Sequence, residues 1–394
     1  MQKQSNRIVS IDIFRAITMF MMIFVNDFWT LIDIPEWLGH AQATEDRMGL
    51  SDWVFPGFLF IVGLSIPFAI EARKKKEESN AQIFWHIVKR SIALIVMGFF
   101  MVNLENINAE LLPISKYIWQ LLMALAIVFI WNIYPDDKAF KKIPAWILHV
   151  AGIIILGYLA LIYEGGTPDN PGWMKPHWWG ILGIIGWAYF LCATLFLLLG
   201  KRIQPFLLVV LGFHFINAME FGVFGGYQLP SIFVVGASNH ATVASGILVT
   251  LIYIEYGKRN HVKSFIGILL IFAIISLTYG VLTRPEWGIS KIRSTPSWTT
   301  ICVGISIFSF ILLYILTDLL NKSSWAAIIK PAGRSTLTCY LVPYFYYAIM
   351  ILVGIYLPMA LRTGFIGLVK SLLFAYLIVL ITGVMERLNI RLKV

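Results

Sequence analysis

The chain has 394 residues, 59% of them hydrophobic and only 13% charged, with a formal net charge of +10 and a mean hydropathy of +0.78. Soluble globular domains carry about a quarter charged residues. Half that fraction leaves too little polar surface to cover a water-exposed body, so an ordinary soluble domain is excluded and lipid must be part of the solvent.

Apolar runs recur from end to end. Each is close to the roughly 20 residues that a helix needs to cross a bilayer. They are continuous, without the short alternation of a membrane strand. In chain order the expected spans are 8–31, 52–71, 83–103, 114–134, 144–163, 178–199, 204–219, 231–256, 263–282, 298–319, 331–355 and 364–385. The seventh is short and holds His214 and Asn217, so a broken or interfacial helix is expected there. The run after Arg7 is too long for a signal-peptide core and lacks a small-residue cleavage site, so it is read as the first membrane helix. The expected fold is an all-α, polytopic membrane helix bundle of about 11–12 transmembrane helices, a single domain over 1–394. Cys192, Cys302 and Cys339 all lie inside apolar runs and read as packing residues.

Charge tests this list, because Lys and Arg accumulate in cytoplasmic loops. With the N-terminus inside, the cytoplasmic segments hold about 19 basic residues: Lys3 and Arg7; Arg73 to Lys76; Lys138, Lys141 and Lys142; Lys201 and Arg202; Lys258, Arg259 and Lys263; Lys322 and Lys330; and Arg387, Arg391 and Lys393. The outer segments hold about seven: Arg47, Lys116, Lys175, Arg284, Lys291, Arg293 and Arg362. The alternation has one exception, the stretch 283–297. It implies an even number of spans with both termini cytoplasmic. The net charge is largely this topology signal, so lipid is the expected partner and nucleic acid is not.

Ionisable groups inside membrane helices are costly and face protein, water or substrate. In the first span Asp12 and Arg15 lie three apart and can pair, most simply as a structural ion pair. Asn26 and Asp27 close the same span in FVNDF. Asn26 follows a run with no polar residue and is expected to find a partner inside the bundle; Asp27 is a candidate substrate contact. His40 lies in the first outer loop. A loop histidine is usually a solvated surface residue, but its neighbours favour function. Asp52 can orient an imidazole, Trp37 and Trp53 can form an interfacial wall or a sugar platform, and Asn26 can donate to an oxyanion. Imidazole is also the side chain best matched to proton transfer near neutral pH. Asn239 and His240, in GASNHATVASG, read either as hydrogen-bonding glue between close helices or as substrate contacts. Gln120 and Lys291 allow the same two readings. No HExxH, CxxC or Walker loop occurs, which argues against a zinc enzyme and a primary pump.

RIVSIDIFRAITMFMMIFVND, a loop histidine and then LSDWVFPGFLFIVGLSIPFAI resemble the heparan-alpha-glucosaminide N-acetyltransferase family, which are transmembrane acetyltransferases. The likeness is strongest over 7–70, with weaker echoes in IWQLL, around Asn239, in KIRSTPSWTT and in PAGRSTLTCYLVPYF. The resemblance implies acetyl transfer from acetyl-CoA to the amine of glucosamine or of a glucosamine-containing glycan. The coenzyme would be on the cytoplasmic side and the sugar on the other. It places His40 at the catalytic histidine and Asn26 at the asparagine of the FVN motif; Asp12, Arg15, Asp52, Pro56 and Lys291 fall on family-like positions. On this reading His40 is a general base or transiently accepts the acetyl group, Asp52 fixes its tautomer, and Asn26 binds the thioester carbonyl. The coenzyme phosphates need cations. Lys89 and Arg90 at the cytoplasmic end of the third span are candidates, as are Lys291 and Arg293 if the headgroup enters from the other side, with Gln120 as a further contact. No metal is expected. A bacterial inner membrane is the expected location, and homodimerisation stays open. The rival readings are a sugar carrier of the N-acetylglucosamine type and an O-acetyltransferase of surface glycans. A carrier should show repeated halves with broken helices, and no convincing repeat is visible.

Overall fold

A computed structural model describes residues 8–394 except 136–137, 140–142, 224–225, 227 and 258–260. Of the charge pattern, Lys3, Arg7, Lys141, Lys142, Lys258 and Arg259 lie outside the described residues. The chain forms a bundle of helices, as the absence of backbone partners in hydrocarbon requires. In order they are α1 (Val9–Asn26), α2 (Leu50–Lys74), α3 (Asn80–Glu105), α4 (Lys116–Trp131), α5 (Ala145–Leu161), α6 (Gly180–Leu199), α7 (Ile203–Glu220) and α8 (Ala237–Ile252). There follow α9 (Val262–Leu282), the one-turn α10 (Arg284–Trp287), α11 (Pro296–Tyr314), the short α12 (Lys330–Arg334), α13 (Thr336–Leu352) and α14 (Gly364–Arg387). The described strands are two short antiparallel pairs, 138–139 with 143–144 and 165–167 with 170–172.

Every expected span contains a helix, with corrections of length and continuity. Among the described residues nine helices are long and apolar enough to cross a membrane, or ten if one bent pair counts as a single span. The helices at 114–134 and 144–163 have 16 and 17 residues, short of the roughly 20 a perpendicular crossing takes. The seventh is not broken: α7 runs unbroken for 18 residues. The break falls instead in the expected span 331–355. There Ser324–Arg334 meets Thr336–Leu352 at 74° in PAGRST, where Pro331 and Gly333 interrupt the apolar pattern.

The centre is α8, buried along its whole length from Ala237 to Ile252. Its small residues permit this. A Cβ on Gly246 would lie 2.1 Å from the Phe60 carbonyl oxygen of α2, and one on Gly63 would lie 2.0 Å from that of Val243. Gly98 and Gly183 bring α3 and α6 together in the same way. Such close contact is how apolar helices gain packing energy when lipid is as apolar as they are. The peripheral α5 turns Trp146, Ile153, Ile154 and Leu161 outward, as a lipid-facing helix should. The three cysteines are buried free thiols.

Candidate active site

The loop between α1 and α2 folds back over the start of α2. The backbone N–H groups of Leu50 and Ser51 donate to the carbonyls of Trp37 and Leu38, at 2.8 and 3.1 Å, and the Ser51 hydroxyl also donates to Leu38. Gly49 passes so close to Gly39 that a Cβ would meet its carbonyl oxygen at 2.0 Å. This fold sets His40 directly over Asp52, in the first turn of α2, where the helix dipole favours a carboxylate. Asp52 is 1% exposed. Its Oδ2 accepts the backbone N–H groups of Ala41 and Gly49, both at 3.0 Å, and its Oδ1 lies 2.7 Å from His40 Nδ1. A carboxylate only accepts, so Nδ1–H donates to Asp52, and in the neutral ring Nε2 carries the lone pair. The His40 side chain is 46% exposed. It is thus a fixed, reachable imidazole rather than a free loop residue.

Lys291 completes the group. Its Nζ is 3.2 Å from His40 Nδ1 and 3.9 Å from Asp52 Oδ1. A tight turn presents it: Ser294 adopts a left-handed φ of 58°, the Thr295 hydroxyl accepts from the Ser290 N–H at 3.0 Å, and Asn217 of α7 donates to the Ser294 carbonyl at 3.2 Å. Burial pulls the Lys291 ammonium below its ordinary pKa, and the Asp52 carboxylate pulls it back up. Asp46 ties the His40 loop to the same segment. It accepts from Arg284 Nε at 2.9 Å and from the Ile289 N–H at 2.6 Å. Burial opposes ionisation of Asp46, but the Ile289 and Arg284 hydrogen bonds hold its carboxyl below the usual range. This staple escaped the sequence reading, although it left a trace. The stretch 283–297 was the one exception to the charge alternation, and its Arg284 and Lys291 are the cations facing the His40 loop.

His40 and Asn26 line one cleft of about 500 Å³, with Trp29, Glu36 and Arg47 on its walls. Asn26 is exposed there rather than partnered inside the bundle. Asp27 faces the other way, 2% exposed, and bonds to Tyr347, Lys370 and Ser371. Trp53 also points inward, donating to Ser306 of α11 at 3.1 Å, while Trp37 stays 66% exposed.

On the opposite face a second and larger cavity, about 770 Å³, enters the bundle. Its walls carry Arg15, Lys75, Arg90, Lys201, Arg334, Arg391 and Lys393, against Asp12 and Glu71. Glu71 is taken by Lys201 at 2.5 Å, and Asp12 faces Arg15 at 3.5 Å. The remaining cations give the mouth a net positive field. Arg90 packs its guanidinium 4.7 Å from the Tyr189 ring centre, and its Nε is buried with no hydrogen-bond partner among the described residues. Residues 391–393 are strapped across the mouth by bonds to Asn132, Thr338 and Trp131. The deeper lining is apolar, with Met19, Met22, Phe58 and Leu94. Asp12, Arg15, Met19 and Met22 form one stripe of α1, and Asn26 is the next position on that stripe. From Asp12 to Asn26 the stripe rises about 21 Å.

The other expected contacts lie elsewhere. His240 is 3% exposed, wedged between the rings of Phe213 and Phe233, and Asn239 turns back on the Gly236 carbonyl. Gln120 donates to the Tyr344 carbonyl at 2.7 Å, joining α4 to α13. Arg293 donates to the Trp287 carbonyl on the His40 face, and Lys89 lies over Trp85 on the bundle surface. Of the five residues expected at the coenzyme, only Arg90 lines the basic cavity. Lys291 belongs with His40, because its turn lies on the His40 face. Asp12 and Arg15, expected to be structural, line the cavity wall, where Arg15 also donates to Ser65.

Comparison with known sequences finds distant relatives. The chain resembles heparan-alpha-glucosaminide N-acetyltransferases. It is 27% identical to that of Mus musculus over 209 residues, 46% of this chain and 30% of the relative. It is 32% identical to that of Homo sapiens over 101 residues, 25% of this chain and 14% of the relative. The matches therefore span less than a third of either relative's length. A domain of unknown function (DUF5009) matches residues 7–170, which carry α1, the His40 loop and α2.

Proposed function

We propose that this integral membrane protein is an acetyltransferase that moves acetyl from acetyl-CoA to the amine of glucosamine or a glucosamine-containing glycan. The observation that carries this reading is the single stripe of α1, which lines the basic cavity and ends at Asn26 in the cleft of His40. A coenzyme A thioester has the matching polarity: phosphates at one end, a long thin arm and an acyl group at the other. The cations of the mouth suit the phosphates, and the orphan Nε of Arg90 is a donor in want of an acceptor. The apolar depth suits the arm. The excess of basic residues on that face supports a cytoplasmic mouth and, with it, an extracytoplasmic cleft.

In the cleft the amine nitrogen attacks the thioester carbon. The C–N bond forms, the C–S bond breaks, and the sulfur leaves as thiolate and is then protonated. His40 Nε2 takes the proton from the nitrogen, with Nδ1–H held by Asp52. Asn26 donates to the carbonyl oxygen as charge builds there. Lys291 offsets the charge of Asp52. The family likeness supports the acetyl donor and the amino-sugar acceptor. The test is release of free thiol from acetyl-CoA by the detergent-purified protein with glucosamine, together with N-acetylglucosamine in the product. Absence of glucosamine-dependent thiol release would overturn the reading.

A further inference from the structure

The cleft wall that carries Asn26 is held from behind by residues more than 300 positions away in the chain. Asp27 sends its carboxylate into the bundle, where it accepts from Tyr347 Oη at 2.6 Å and from Lys370 Nζ and Ser371 Oγ, each at 2.5 Å. Lys370 also donates to the Thr30 hydroxyl at 2.7 Å, and Arg362 Nε donates to the Thr30 carbonyl at 2.8 Å. One step further on, Ile32 N–H donates to the Arg362 carbonyl at 2.9 Å and Gly364 N–H to the Ile32 carbonyl at 3.0 Å. The segment held in this way, Asn26 to Ile34, contributes Asn26, Phe28, Trp29 and Ile34 to the cleft. The Tyr347 ring also meets the Trp29 ring edge-on at 5.3 Å.

A buried ion pair is a poor source of stability, because desolvating both charges offsets their attraction. Ionisable groups in a membrane bundle cost more than apolar ones that would fill the same space. What this pair supplies is direction. It fixes Asp27 inward, and so turns its neighbours Asn26 and Phe28 toward the cleft, where α1 passes into the 3-10 turn Asp27–Thr30. We infer that Asp27, Lys370 and Tyr347 are positioning residues that set the orientation of Asn26 and of the acceptor wall. They act through α1 without touching either substrate. The inference rests on the proposed acetyl transfer for its kinetic consequence, and on geometry alone for its structural one.

The test therefore has two readouts. The three native cysteines are buried, so Asn26→Cys creates an accessible thiol at the wall. In that background Lys370→Met and Tyr347→Phe should each change the rate of labelling by a small thiosulfonate by about threefold or more. Lys370→Arg, which keeps the charge, should restore most of the original rate. With Asn26 in place, Lys370→Met and Tyr347→Phe should worsen kcat/KM for the amine acceptor about tenfold and leave the KM for acetyl-CoA within about twofold. Tyr347→Phe removes one hydroxyl and decides the matter if Lys370→Met fails to fold. Unchanged labelling and unchanged acceptor kinetics in monodisperse variants would overturn the inference. Equal deterioration for both substrates, with lowered thermal stability, would also overturn it and make the node plain structural glue. A wild-type protein without acetyl transfer would sink the proposed function instead, and labelling would still decide the positioning role.

Discussion

The His40 cleft and the basic cavity differ in almost every physical respect. The cleft at His40 is small and is built from loops. It holds its chemistry in one short chain of hydrogen bonds, from the Ala41 and Gly49 backbones through Asp52 to the imidazole. The cavity on the other face is deeper, walled by helices, basic at the mouth and apolar within. One arrangement suits a proton transfer and the other suits a long polyanionic molecule with a thin arm. On the proposed function, recognition and chemistry are divided along one helix. The same stripe of α1 lines the cavity and reaches the cleft, so on that proposal neither substrate crosses the bilayer.

The largest expected effect breaks the chemical half alone. His40→Ala should lower kcat by about 10²- to 10⁴-fold while acetyl-CoA binding, followed by calorimetry or thermal shift, persists. Asn26→Ala should follow with a loss of about 10²- to 10³-fold in kcat, the cost of one oxyanion donor. Wild-type turnover in either variant would separate that residue from the mechanism. The opposite pattern is expected at the basic mouth. Arg90→Ala and Lys393→Ala should each raise the KM for acetyl-CoA about tenfold, the loss of one charged hydrogen bond. They should leave transfer from S-acetylpantetheine, which lacks the nucleotide phosphates, unaffected. Equal effects on the two donors would mean that the mouth does not read phosphate.

How much of this was legible in the sequence follows from the range of the forces involved. The helices were legible because hydropathy is local: a run of apolar residues specifies a span whatever its neighbours are. The bend at Ser335 and the integrity of α7 were misplaced, because a polar residue such as Asn217 reads as a break until its partner is known. Here that partner is the Ser294 carbonyl, far along the chain. The pairing of His40 with Asp52 was readable from twelve residues of spacing and the start of a helix. The basic mouth was not. Arg391 and Lys393 reach it only because the chain returns past Asn132 and Thr338. Lys291 was open to several readings, as glue, as a substrate contact or as a coenzyme contact from the other side, because only its turn brings it beside the imidazole.

The smallest predicted effect sharpens the role of that lysine. Its ammonium pKa is lowered in the folded state, so the unfolded chain binds more protons between the lowered value and the ordinary value of 10.5. Stability should therefore rise with pH across that window. Lys291→Met should flatten this part of the thermal-stability profile between neutral and alkaline pH. An unchanged slope would show that the ammonium is not desolvated beside Asp52.

The central claim is that a donor on the basic face and an acceptor on the His40 face meet inside one protein. Proteoliposomes of the purified chain, sorted by orientation, test it most directly, with acetyl-CoA supplied only on the side of the basic mouth and glucosamine enclosed only on the other. The account predicts N-acetylglucosamine in the glucosamine compartment and free coenzyme A in the donor compartment, both lost in His40→Ala. Acetylation only when the two substrates share a compartment, or movement of unmodified sugar without any acetyl-CoA, would contradict it.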